Sequence, residues 1–129
     1  MKKEIQSREE IEELVDSFYG KVQKDELLGP IFNSVIDQWP VHLEKMYKFW
    51  STVLLYERSY RGSPFLPHAV LPIEKKHFDQ WLKLFHQTLD EKFTGKIAEE
   101  AKWRSVKMAE MFQIKLNDIR ENPERRPLL

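Results

Sequence analysis

Ser7-Arg-Glu-Glu10-Ile11-Glu-Glu-Leu14-Val15-Asp-Ser-Phe18-Tyr19-Gly-Lys-Val22 decides the fold. Ser7 followed three residues later by Glu10 marks a helix start, because each side chain can take a backbone amide of the first turn. Ile11, Leu14, Val15, Phe18 and Val22 then recur at spacings of three and four, which gathers them on one helical face. Tyr19 stands on the same stripe, one turn beyond Val15. The period holds through most of the 129 residues, with no strand-like alternation, internal repeat or low-complexity segment. An all-α chain is predicted.

Composition narrows the class. With 41% hydrophobic residues, a formal net charge of zero and no cysteine, the chain is expected to be one soluble domain over residues 1–122, with a frayed tail at 123–129. The lack of cysteine suits a cytoplasmic setting, where disulfides contribute nothing. No basic block offers an electrostatic footprint for nucleic acid, and no window approaches the roughly 20 apolar residues of a membrane span. Neither nucleic acid nor membrane is an expected partner.

The punctuation divides the helical pattern into four long segments. Gly29-Pro30 interrupts it after the first, and a short irregular turn is expected over 25–36 with Ile31, Phe32 and Val35. Pro40 suits the first turn of a second helix running to about Tyr56, with His42, Met46, Phe49, Trp50 and Val53 inward. A third shows Phe78, Trp81, Leu82, Phe85 and Leu89 on one face; the fourth carries Ala98, Ala101, Ser105, Met108, Phe112, Leu116 and Ile119. Two crossed antiparallel pairs are predicted, joined by the turn at 25–36 and a proline-rich turn at 57–72.

That second turn contains Gly62-Ser-Pro-Phe-Leu-Pro-His-Ala-Val-Leu-Pro72, in which Pro64, Pro67 and Pro72 keep His68 off any long helix. A histidine so constrained is well placed to be a fixed ligand. Tyr19, His42 and Trp81 bring polar aromatic groups to the inner faces of three helices. They can converge on a cavity walled by Phe32, Met46, Phe49, Leu66, Phe78 and Leu82. Such a cavity suits a porphyrin, which needs apolar walls, one neutral imidazole for iron and nearby donors. A structural zinc site is disfavoured, since it wants four nitrogen or sulfur ligands and no cysteine is present.

The stretches Phe18–Asp25, Leu28–Asn33, Trp39–His42, Lys45–Ser51, His68–Ile73 and His77–Phe85 together resemble truncated haemoglobins of the third group, over roughly residues 7–119. The resemblance implies a two-over-two helical sandwich holding haem b, with His68 as proximal iron ligand. Tyr19, His42 and Trp81 match the distal tyrosine, histidine and tryptophan, and Phe32 matches an aromatic residue against the porphyrin. The glycine-pair motifs of the other two groups are missing. Lys45 is the candidate partner of a haem propionate, with Arg58 and Arg61 as alternatives.

The implied ligands are oxygen, nitric oxide and carbon monoxide. A phenol O–H from Tyr19 or an indole N–H from Trp81 would hold a partly negative ligand by a charge-assisted hydrogen bond, favouring slow release. His42 would act as a gate. Conversion of nitric oxide or reduction of peroxide would need an external reductase, since no glycine-rich dinucleotide fingerprint is present. The alternative is a haemless helical module using Trp39, Trp103 and its charged faces for a protein partner. His77, His86 and Trp103 are expected to be structural: a helix start, the flank of a core stripe and the seal of a helix edge.

Overall fold

The computed structural model describes residues 1–60 and 71–122. Among these it has five α-helices: α1 (Arg8–Lys24), α2 (Gly29–Val35), α3 (Trp39–Leu55), α4 (Lys75–Lys92) and α5 (Lys96–Glu121). α1 packs on α2, α3 and α4, while α5 packs on α4 and more lightly on α3. This is the two-over-two sandwich: α1 with α3 crosses α4 with α5.

α1 and α4 begin where their sequences provide a cap. The Glu10 carboxylate accepts the Ser7 amide at 2.9 Å, closing the capping box and holding the Glu10 pKa below the usual carboxylate range, chiefly through the Gln6 amide. α4 starts with a second box in which His77 Nδ1 accepts the Glu74 amide at 2.9 Å. Lys3 forms an isolated parallel bridge to Phe93, which draws Ile5 into the core at 2% exposure. The apolar stripes of α1, α4 and α5 face inward, with Ile11, Leu14, Phe85, Leu89 and Ala101 at 0%, while Trp81, Leu82, Met108 and Ile119 are half-buried.

The expected irregular turn over 25–36 is corrected by α2, a seven-residue helix. Pro30 lies in its first turn, where a missing amide costs nothing. Asp25 organises the approach, its Oδ2 accepting the Leu27 and Leu28 amides at 3.1 and 2.9 Å. Gly29 allows the close approach: a Cβ there would stand 2.8 Å from the Gln23 carbonyl oxygen. Trp103 is also corrected, being 56% exposed rather than sealing an edge. It lies opposite the buried face of α5, and Arg104 and Lys107 stand over its ring.

Among the described residues no helix is long and apolar enough to cross a membrane.

Candidate functional site

Tyr19 enters the site from the apolar stripe of α1, which fixes its ring deep in the core at 6% exposure. Three rings surround it in addition to neighbouring Phe18. Phe32 of α2 lies 5.9 Å away, Trp39 at 5.8 Å and His42 at 5.2 Å, the last at an interplanar angle of 90°. Burial pushes the Tyr19 phenol far above its usual pKa, so it stays protonated and remains a donor. His42 belongs to the first turns of α3, where the Trp39-Pro40 start sets its register. It is half-buried against both Tyr19 and Trp39.

Trp81 is reached through Phe18. The Phe18 ring meets Tyr19 at 4.9 Å and Trp81 at 5.2 Å, so α1 joins the two donors by a single shared neighbour. On its other side Trp81 stacks on Phe85 with centroids 5.2 Å apart and planes 11° from parallel, and Phe85 in turn stacks on Trp50. A stacked indole has little freedom to turn, which fixes the direction of its N–H.

Of the expected pocket walls, the structure brings Phe32, Met46 and Phe49 into the cluster that holds Tyr19. Phe78 and Leu82 lie instead in a second cluster with Ile73, Ala109, Phe112 and Leu116, along the α4–α5 seam. His68, Leu66 and Arg61 lie outside the described residues. Lys45 is exposed on α3 and Arg58 is exposed just beyond that helix. His77 and His86 are structural, the first in the α4 cap and the second hydrogen-bonded to Ser105 at 3.1 Å.

Sequence reading missed Trp39 as a member of this group. Its ring packs on Tyr19 and His42, and its Nε1–H donates to Asn33 Oδ1 at 3.2 Å. The available signal was its position three residues before His42, one helical turn away. The same contacts draw Trp39 out of the surface set assigned to a protein partner.

The model of the bacterial-like globin family matches residues 3–114. The chain belongs to that family. A group 3 truncated hemoglobin of Campylobacter jejuni is 37% identical over 118 residues, covering 88% of this chain and 93% of that protein. The crystal structure of the group III truncated hemoglobin from Campylobacter jejuni superposes with a TM-score of 0.84, covering 90% of this chain and 95% of the other. This globin is thus a truncated haemoglobin of the third group, and by family a haem protein that binds diatomic gases.

The residues present fit that cofactor. A buried phenol held protonated, a half-buried imidazole beside it and an indole locked by stacking sit among Phe32, Met46 and Phe49. These are the apolar walls and proton donors that a porphyrin and a small polar ligand require.

Proposed function

We propose that this globin holds haem b on His68 and uses Tyr19, with Trp81 beside it, to retain oxygen until nitric oxide arrives for conversion to nitrate. The observation that carries this reading is the state of Tyr19: a phenol enclosed by Phe32, Trp39 and His42, its proton held by burial. Bound haem would supply reversible binding of oxygen, nitric oxide and carbon monoxide at iron, and one electron for oxygen and nitric oxide to become nitrate. The chain's own groups orient and stabilise. Tyr19 donates to a ligand that carries negative charge, and its rigid ring means that the dipole needs no reorganisation as that charge grows.

Trp81 adds a second donor that cannot accept, which favours negative over neutral ligands. His42, half-buried beside Tyr19, serves in this reading as a gate that swings between pocket and solvent. Phe32, Met46, Phe49 and Leu66 supply apolar walls, and Lys45, or alternatively Arg58 or Arg61, meets a haem propionate. A separate reductase restores the ferrous state, and the cysteine-free chain suits a reducing cytoplasm. Residues 1–122 form the haem domain, with 123–129 as its tail.

Absorption spectra of wild type and His68→Ala, each expressed with haem supplied, test the iron ligand. The wild type shows a five-coordinate ferrous spectrum and His68→Ala loses it; a variant with the wild-type Soret band overturns the assignment. Rapid mixing of the oxygen-loaded wild type with nitric oxide then tests the reaction, for which stoichiometric nitrate in a fast single turnover is expected. Slow oxidation without nitrate favours peroxide chemistry or ligand sensing.

A further inference from the structure

We propose that Trp39 is a positioning residue of this pocket and that its hydrogen bond to Asn33 latches the ligand entrance between α2 and α3. The inference rests on reading Tyr19 and His42 as donors facing the ligand. Trp39, His42 and Tyr19 form a closed triangle of rings with centroid separations of 5.7, 5.2 and 5.8 Å. Two sides of that triangle belong to Trp39. Packed rings have few alternative arrangements, so displacing the indole moves both partners.

Position in the chain makes Trp39 the adjustable member. Tyr19 is built into α1 and is 6% exposed, whereas Trp39 and His42 are half-buried. The latch therefore places the ligand path to Tyr19 past those two side chains. Residues 36–38, which lead into Trp39, are not helical. Gln38, the N-cap of α3, contributes no side-chain cap, and Pro40 in the first turn has no amide to give. Against this thinly bonded start, the Trp39 indole reaches across to the last turn of α2 and donates to Asn33 at 3.2 Å. Asn33 is itself exposed, so the bond can be exchanged for water without burying an unmet polar group. A latch of that kind opens at low cost and closes over Tyr19.

Two variants break the bond while keeping an aromatic ring at position 39: Trp39→Phe and Asn33→Ala. After flash photolysis of the carbon monoxide-loaded protein, each raises the bimolecular association rate about 5-fold, the change equivalent to one neutral hydrogen bond. The C–O stretching frequency, which reports the donors beside the ligand, stays at the wild-type value in both. Trp39→Leu removes the ring as well and shifts the stretch. In the haem-free chain, the Trp39 indole proton, assigned by its loss in Trp39→Phe, exchanges with solvent about 5-fold faster in Asn33→Ala.

Wild-type association rates in both latch variants overturn the proposal, as does an unchanged stretch in Trp39→Leu. Should Trp39→Leu fail to fold, wild-type indole exchange in Asn33→Ala overturns the latch by itself. Tyr19→Phe separates this from the reading beneath it. A wild-type stretch in Tyr19→Phe means that Tyr19 does not face the ligand. A shifted stretch there, with wild-type association in the latch variants, means that the pocket is right and the latch wrong.

Discussion

α4 presents two inner faces that solve different problems. Toward α1 and α3 it offers Trp81 and Phe85, which meet Phe18 and Trp50 ring against ring. Toward α5 it offers Phe78 and Leu82, packed among Ile73, Ala109, Phe112 and Leu116. Polar groups along the seam are tied to named partners. His86 pairs with Ser105, Ser105 Oγ donates to the Lys102 carbonyl at 2.7 Å, and Arg120 donates to the Ile73 carbonyl at 2.6 Å. In the aromatic region Tyr19 and Trp81 are instead located by the edges and faces of their rings. A donor held in place by its ring need not use its hydrogen to stay there, and that separates a binding face from a scaffold face.

The comparison breaks most readily at one buried support on each face. Phe85, at 0% exposure, touches Phe18, Trp50 and Trp81. Phe85→Ala is expected to cost about 3–5 kcal/mol in urea unfolding and, by freeing Trp81, to speed oxygen dissociation as well. Leu116, at 2% exposure in the seam, should cost about 2–5 kcal/mol as Leu116→Ala while oxygen dissociation stays at the wild-type rate. If Leu116→Ala releases oxygen as fast as Phe85→Ala does, the two faces are not separable.

A smaller and sharper effect comes from one oxygen atom. Tyr19→Phe keeps the ring contacts to Phe32, Trp39 and His42 and removes only the hydroxyl. Oxygen dissociation, followed by stopped-flow displacement, is expected to rise roughly 10-fold, equivalent to about 1.4 kcal/mol. Thermal stability should hardly move. An unchanged rate would transfer the anchoring role to Trp81 or His42.

Legibility in the sequence followed the physics of each region. The long helices α1, α4 and α5 were readable because Ile11 to Val22, Phe78 to Leu89 and Ala98 to Leu116 repeat with the helical period and turn inward on that pattern. α2 was not, since seven residues give too few turns to show a period and Gly29-Pro30 reads as a break. Its helix depends on Asp25 and on Gly29 lying against α1, contacts that no local pattern announces. Tyr19, His42 and Trp81 could be picked out as polar groups on apolar faces. Trp39 was legible only as a neighbour one turn before His42; its role comes from three rings meeting across α1 and α3. Ile5 was lost among charged neighbours; its burial follows from the Lys3 to Phe93 bridge.

The smallest expected effect concerns the seam histidine. Burial pushes the His86 pKa down, with nearby Lys102 adding to the effect and Asp90, Glu99 and the Lys102 backbone opposing it. A histidine whose folded pKa lies below its unfolded value of about 6.5 binds more protons when unfolded. Its neutral form therefore contributes fully above about pH 6.5, and that contribution is lost as pH falls toward and through the folded pKa. Urea unfolding of wild type and His86→Gln between about pH 7 and 5 measures the difference. Wild type should lose stability more steeply, by at most about 1.4 kcal/mol per pH unit, the limit for one proton. Parallel curves would mean that the Ser105 partner and the nearby carboxylates make the charged imidazole as welcome in the seam as in water, and the seam would then be softer electrostatically than its packing suggests.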